Sequence, residues 1–566
     1  MGNAARSYIF QPLMKSGWDV GFHAYDPYRY TIEGTRIFQT TRPYTELGYL
    51  LGSKAEQTIN VVHTQNRKSN LNFGMDFRFI SSPGFLRNQN ASHSNMRFHT
   101  YYQSPNRKYG LYLIYVGNRL KSSENGGLVD ESQLKGLAFN DPFEIQTKIG
   151  ANNSTTRNPF KTYIISGNEY RETMILLRQQ FDFGKKDSLI TDDSSALKIF
   201  YPRFRLQHNF RFTSNTYTYK DQDVNKSNYL NYYNFTVIDD TINFSDRWRD
   251  FTNEFSILTF PQKTNLNQFL KLGAAIQNLF GDYKGGTENL YNVYGIAEYR
   301  NRTRNQVWDI EAAGKLFLNG YNSGDYEAKV SLKRLLGRNI GSLELGFQNV
   351  NRTPSAIFFK RTNFPVITNS TFGKENYTRL FATYQNPKLQ LKLSGEYYLV
   401  NRYSYFTDYF VADQFSTLFN VLHVSAEKRF RLLKNVHWYS EVHLQQRAGD
   451  GPVNLPLLFT RNRIQFEGNL GFKNLLLTTG VEMRYHTPYK ADNYSPLNGQ
   501  FVFQDTSTIT NRPELNIFLN FRIRSFKAFI RLENINAIGQ NNNFTARYYP
   551  YYPMWTRVGI WWSFVN

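Results

Sequence analysis

Long segments of strict two-residue alternation constrain the fold of this chain more than any other feature. In residues 388–400, apolar side chains such as Leu391 and Leu393 alternate with polar ones such as Lys392 and Glu396. A β-strand points successive side chains to opposite faces, so this segment has one apolar and one polar face. The same pattern recurs in residues 308–318, 436–445, 514–524 and 526–533.

The length of these segments indicates strands that cross a bilayer. A tilted transmembrane strand needs about ten residues, whereas strands of globular proteins average about five or six. Aromatic residues make up 17% of the chain, although its mean hydropathy is only -0.55. That combination suits a wall that is apolar outside and polar inside. It argues against disorder, because disordered chains are poor in aromatic residues.

The links between these segments alternate in length. Short links occur at residues 67–70, 104–108, 261–265, 301–305, 336–339, 386–387, 432–435, 473–474 and Ser525. Longer loops lie between them, at residues 81–94, 121–169, 214–246, 281–288, 352–374, 401–416, 448–456, 488–512 and 537–553. Short turns on one rim and long loops on the other are typical of outer-membrane barrels, whose short turns face the periplasm.

We therefore predict an all-β fold, a membrane-spanning antiparallel β-barrel of about 22 strands, within a range of about 16 to 22. Residues 42–566 are predicted to form the barrel, and residues 1–41 an N-terminal lead-in or a partial first strand. The aromatic-rich end, residues 557–566, is expected to close the barrel. Residues 1–6 lack the charged and apolar regions of a signal peptide, so an exported barrel of this sequence is expected to be N-terminally truncated.

Composition excludes several functional classes. The chain has no cysteine, which rules out disulfides, thiolate metal sites and cysteine nucleophiles. The formal net charge is +22, but Lys and Arg are scattered through turns and strands, so we predict no nucleic-acid partner. The charge instead suits contacts with anionic outer-membrane lipid and lipopolysaccharide, or a pore that prefers anions.

No motif for catalysis or cofactor binding stands out, so we predict neither an enzyme nor a cofactor site. His437, Glu441 and His443 share one strand face, and His423 and Glu427 lie on the preceding strand. Such a group could bind a metal. A polar barrel lining is the favoured interpretation, because barrel interiors are normally polar, so we predict no metal site.

Charged residues on the polar strand faces are the candidates for a pore lining. The six candidates are Lys392, Glu396, Glu441, Arg522, Arg524 and Arg531. Their mixed signs do not suggest a filter for a single charge. Alternatively, they pair across strands and only stiffen the wall.

Several runs resemble a known family. They are residues 18–26, 42–49, 52–57, 63–66, 81–85, 87–90 and 124–128, which are similar to the putative porin family of Bacteroidota. The detailed resemblance covers roughly the first quarter of the chain, and the remainder agrees in architecture and in the ending Gly559-Ile560-Trp561-Trp562. The resemblance implies a barrel in the outer membrane and brings no catalytic residues.

The leading hypothesis is a porin-like channel for passive or gated passage of small hydrophilic solutes. An alternative is a structural or accessory barrel of an outer-membrane assembly or secretion complex, with other outer-membrane proteins as partners. A TonB-dependent receptor is a third hypothesis. It needs a plug domain ahead of the barrel, and strands predicted from about Tyr44 leave little room for one.

Overall fold

The computed structural model describes residues 1–134, 142–150, 163–192, 195–283, 286–359, 361–368, 371–537 and 543–565. Its main feature is one 22-stranded sheet. The strands of this sheet are β1 (Tyr44–Gly52), β2 (Glu56–Lys68), β3 (Leu71–Ser82), β4 (Ala91–Gln103), β5 (Tyr109–Ser123), β6 (Ser166–Asp192), β7 (Ser195–Asp221), β8 (Ile242–Thr259), β9 (Gln268–Tyr283), β10 (Gly286–Arg302), β11 (Trp308–Gly320), β12 (Tyr326–Gly337), β13 (Gly341–Arg352), β15 (Glu375–Asn386), β16 (Leu391–Asn401), β19 (Phe419–Arg431), β20 (Val436–Ala448), β21 (Leu458–Gly468), β22 (Leu475–His486), β25 (Glu514–Ile523), β26 (Phe526–Glu533) and β29 (Trp555–Val565).

Each strand of this sheet pairs antiparallel with the next one along the chain, and the last pairs with the first. Strands β1 and β29 align Tyr44 with Val565 and Gly52 with Arg557. The sheet therefore closes on itself and leaves no open edge, as a wall in hydrocarbon must. The predicted antiparallel barrel of 22 strands is confirmed.

The two faces of the wall differ as the alternation predicts. Large apolar side chains on the outer face are exposed, for example Leu393 (41%) and Ile560 (43%). Their neighbours on the inner face include buried polar residues such as Asn118, Glu172 and Glu482. Such an apolar outer band and polar interior are the pattern of a barrel that stands in a lipid bilayer.

Barrel strands extend into several of the predicted long loops. Strand β7 continues to Asp221 and β8 begins at Ile242, so only residues 222–241 of the predicted loop 214–246 link them. In the same way, β9 ends at Tyr283 and β10 begins at Gly286, inside the predicted loop 281–288. Polar side chains do not stop a strand outside the bilayer, because water can solvate both of its faces there.

Smaller elements lie among the long loops. A five-stranded sheet contains β14 (Ile367–Thr368), β17 (Tyr403–Phe406), β18 (Val411–Phe415), β23 (Asn493–Ser495) and β24 (Gln500–Val502), and a hairpin contains β27 (Phe544–Ala546) and β28 (Tyr549–Pro550). Helix α1 (Lys226–Tyr233) begins after Asn225, whose side chain accepts a bond from the Asn228 amide. Short 3₁₀ turns span Asp26–Tyr28, Ser53–Ala55, Glu131–Leu134, Pro142–Glu144, Ala356–Phe358 and Ile535–Ala537. Within the described ranges, no helix is long and apolar enough to span a membrane.

Candidate functional site

The N-terminal segment, residues 1–43, runs through the interior of the barrel. All of it is described, and the 3₁₀ turn Asp26–Tyr28 is its only regular element. The backbone amides of Phe10 and Tyr30 donate hydrogen bonds of 2.9 Å to Gln445 on β20 and Asn118 on β5. These two strands lie on opposite sides of the ring, so the segment that joins them crosses the lumen.

Charged groups anchor the segment to the inner wall. The carboxylate of Asp19 accepts hydrogen bonds from Arg352 at 3.4 Å and from Ser355. Arg29 donates to Glu172 of β6 over 2.6 Å. Because these groups lie far apart in sequence but are buried or half-buried together, specific contacts hold the segment to the inner wall.

At the rim that carries the long loops, aromatic side chains close over the segment. The ring centroids of Trp18 and Trp248, the latter on β8, are 4.4 Å apart. Phe22 lies 5.0 Å from Phe364 in the loop after β13. Both Phe22 and Trp248 are almost fully buried. The long loops and the segment therefore share one apolar cluster, which obstructs the lumen at this end.

A buried carboxyl group links the segment to two loops. Glu124 follows β5, and its Oε1 accepts hydrogen bonds from Tyr25, Asn168 (3.0 Å) and Tyr494 (2.9 Å). Burial raises the pKa of Glu124 to about 7, because desolvation of the carboxylate outweighs the three hydrogen bonds that favour it. Its charge can therefore change near neutral pH.

A cavity of about 370 Å³ lies beside this carboxyl group, between the start of the segment and the loops. Its lining combines aromatic rings with polar groups and includes Tyr8, Phe85, Phe501, Tyr549, Trp555, Asn125 and Asp492. The buried Ser123 Oγ and Tyr549 hydroxyl, which also belong to the lining, have no hydrogen-bond partner among the described residues. Such a lining can hold a small polar solute.

On the inner wall, arginines are held by carboxylates from neighbouring strands. Glu482 of β22, whose side chain is only 1% exposed, is 2.7 Å from each of Arg461, Arg484 and Arg531. Arg531, one of the predicted lining residues, also contacts Glu533 at 2.9 Å. The pairs at Glu482 join strands β21, β22 and β26 of the wall.

Three further predicted residues lie on the inner face of β16 and β20. Lys392 pairs with Glu427 at 2.6 Å, and both line a cavity of about 430 Å³ together with Glu441. Glu396 accepts a hydrogen bond of 2.9 Å from Tyr398. The Lys392–Glu427 pair joins β16 to β19, and Glu396 also pairs with Arg379 of β15.

The histidines form a short chain. His423 and His443 are 3.0 Å apart, and His443 reaches Glu441 over 3.0 Å. His437 is separate and lies 3.6 Å from Glu467. Across the described ranges, no group of three or more His, Asp or Glu side chains could hold a metal ion.

Arg522 and Arg524 lie at the end of the barrel. Arg522 is near the end of β25, and its Nε donates to the backbone oxygen of Arg524 over 2.9 Å. Arg524 lies in the turn between β25 and β26, with a positive φ of 52°. The sequence pattern predicted a strand through residue 524, but the strand and its alternation end before this turn. Whether any of the six residues lines a conducting path stays a prediction.

Sequence reasoning did not place residues 1–43 inside the barrel. The segment lacks alternation, and its partners lie hundreds of positions away. One available signal was its share of aromatic and charged residues, such as Trp18, Phe22 and Arg29, which is unusual for a solvated leader.

Solved structures with the same architecture are outer-membrane receptors and transporters. A mutant of the ferric enterobactin receptor PfeA from Pseudomonas aeruginosa superimposes with a TM-score of 0.61 at 9% identity, over 93% of this chain and 81% of that chain. The copper transporter OprC superimposes with a TM-score of 0.61 at 10% identity, over 94% of this chain and 84% of that chain. The FrpB iron transporter from Neisseria meningitidis superimposes with a TM-score of 0.59 at 10% identity, over 93% of this chain and 83% of that chain. No curated protein matches the chain in sequence.

The closed wall and its apolar outer face define a membrane-spanning β-barrel, and the similar solved structures share this fold. A family model adds the narrower assignment. The chain belongs to the family described as putative porin, whose model matches residues 1–566. The family resemblance inferred from the sequence and the location in the outer membrane are thereby confirmed.

Proposed function

We propose that the protein is a gated channel for small hydrophilic solutes, in which the N-terminal segment closes the lumen. The observation that carries this proposal is that the segment crosses a polar lumen without belonging to the wall. The ladders of the wall involve residues from Tyr44 to Val565 only. Moving the segment breaks side-chain and aromatic contacts but no ladder hydrogen bond, so the gate can open while the barrel stays closed.

The lining supports the class of solute. Tyrosines, amides and carboxylates surround the cavity beside Glu124, and its volume of about 370 Å³ is at the lower end of the range for small-molecule sites. The proposed anion preference has a separate basis. Arginines of the wall are paired with carboxylates, whereas exposed cations surround the mouth at the short-turn rim, where they raise the local concentration of anions.

A disulfide can test the gate, because the chain contains no cysteine. Asp19 and Ser355 are in side-chain contact, so the double variant Asp19→Cys/Ser355→Cys can lock the segment to the loop after β13. In planar bilayers we expect the oxidised variant to be silent and the reduced variant to conduct. The segment is then free to move, because neither cysteine restores the original hydrogen bond.

The matched control places a disulfide in the wall. Thr383 and Ser394 are opposite each other on β15 and β16, and the pair Thr383→Cys/Ser394→Cys does not touch the segment. Reduction should leave its conductance unchanged. If the reduced Asp19→Cys/Ser355→Cys protein is silent although its barrel is folded, the channel proposal fails. Fixed partners that co-purify from native membranes would then favour an accessory barrel.

A further inference from the structure

Basic side chains surround the barrel at the short-turn rim. Ten links join strands at this end, and nine of them are described; the link at 193–194 lies outside the described residues. Each of the nine contains or directly follows a lysine or arginine. We call one such residue from each link the basic rim: Lys68, Arg107, Lys263, Arg304, Arg338, Lys388, Lys434, Lys473 and Arg524. All except the half-buried Lys263 are exposed.

Acidic residues do not balance this rim. None of the nine links contains Asp or Glu. Asp187 of β6 lies near the rim and pairs with Lys263 at 2.7 Å. Exposed aspartates are found instead on the long loops, at Asp130, Asp223, Asp239, Asp240, Asp408, Asp450 and Asp505. The two ends of the barrel therefore differ in charge, and the positive end is the one with short turns.

Exposed apolar side chains adjoin the cations of the rim. Leu433 (66% exposed) precedes Lys434, and Phe472 (63%) precedes Lys473. Leu336, Leu389 and Ile523 are also exposed and lie within two residues of Arg338, Lys388 and Arg524. An apolar group next to a long cationic side chain suits the boundary between hydrocarbon and headgroups, where the stem lies in the apolar layer and the charge reaches the phosphates. A soluble acidic partner would make no favourable contact with these apolar side chains.

The position of the rim selects the leaflet. Short turns of outer-membrane barrels face the periplasm, so the basic rim stands at the headgroups of the inner leaflet. We propose that the basic rim binds the phosphate groups of anionic phospholipids in that leaflet. Such binding holds the barrel at a fixed depth and gives the cations of the rim a second function beside their effect on anions at the mouth.

Native mass spectrometry of the full chain tests this proposal. The protein in non-ionic detergent is incubated with equimolar phosphatidylglycerol and phosphatidylethanolamine, and bound lipids are counted. We expect the wild type to retain phosphatidylglycerol preferentially, by about fivefold for each cation that engages a headgroup, and less at high salt. The variant Arg338→Gln/Lys434→Gln/Lys473→Gln/Arg524→Gln should bind the two lipids almost equally. None of these four residues has an ion pair within the described part of the chain.

The control variant removes the same charge at the other end. Lys226, Lys490, Arg512 and Arg547 are exposed on the long loops, and their replacement by glutamine should leave the preference for phosphatidylglycerol intact. Both variants should show the heat-dependent gel mobility of a folded barrel. Equal retention of the two lipids by the wild type would overturn the proposal. So would equal losses in the rim and loop variants, or binding of soluble polyanions alone.

Discussion

Phe22 of the N-terminal segment lies flat against Tyr217 of β7, with ring centroids 4.3 Å apart and ring planes inclined by 17°. Stacking of this kind contributes beyond the burial of area. It joins the segment that crosses the lumen to a strand that extends past the membrane. The contact therefore connects the segment that we propose as the gate to the rim formed by the long loops. A change there should alter gating without altering the wall.

Phe22→Ala should increase the open probability of the channel. Phe22 is only 3% exposed, and truncation of such a side chain costs about 3–5 kcal/mol of the closed state. Single-channel recording in planar bilayers measures the effect. Phe347→Ala on the outer face of β13, where the ring is 41% exposed, should leave gating unchanged. A similar effect of both variants would contradict the assigned gate.

Opening should depend on pH through Glu124. In the closed state its pKa is about 7, against 4.5 for a solvated glutamate. The closed state therefore binds more protons than the open state. Protonation of Glu124 stabilises the closed state fully below about pH 4.5, and this stabilisation is lost as the pH rises to about 7. Open probability should rise across that window, by at most about tenfold per pH unit.

Glu124→Gln supplies the control for that measurement. The amide is uncharged at every pH and retains an oxygen that can accept the hydrogen bonds of Tyr25 and Tyr494. The variant should stay closed from pH 4.5, the pKa of a solvated glutamate, to about pH 7, the pKa of Glu124 in the closed state. An unaltered pH profile in this variant would show that another group controls opening.

Leu393→Arg should impair folding, because an arginine on the lipid face near the middle of the bilayer costs about 2–4 kcal/mol. Lys392→Ala, one residue away on the inner face, should fold normally and change only conductance. Denaturant unfolding in lipid vesicles compares the two proteins. Equal destabilisation would mean that the facing of β16 is wrong.

Glu482→Gln should shift ion selectivity towards anions. The three arginines around it lose their shared counter-charge, and the loss of these charged hydrogen bonds costs about 1–3 kcal/mol of stability because the guanidinium groups are partly exposed. Reversal potentials in a salt gradient, measured on the Phe22→Ala background, report the selectivity. Glu441→Gln, whose carboxylate contacts His443, should have a smaller effect.

Alternation predicted most of the wall, because strand facing is a local property of the sequence. It assigned Leu393 to lipid and Lys392 to the interior, and the two side chains lie there. The gate could not be predicted in this way. Phe10 meets Gln445 and Asp19 meets Arg352 only once the barrel has closed. Alternation also could not predict the position of Arg524. Its positive φ places it in a turn, where the regular alternation ends.

The pairing of Tyr44 with Val565 makes completion of the wall depend on almost the whole chain. Until β29 docks, β1 and β26 each present an unsatisfied backbone edge, which invites association with other chains. A fragment that stops short of β29 should thus aggregate and not form a narrower pore. Quality control during biogenesis could monitor this single seam to distinguish finished molecules from incomplete ones.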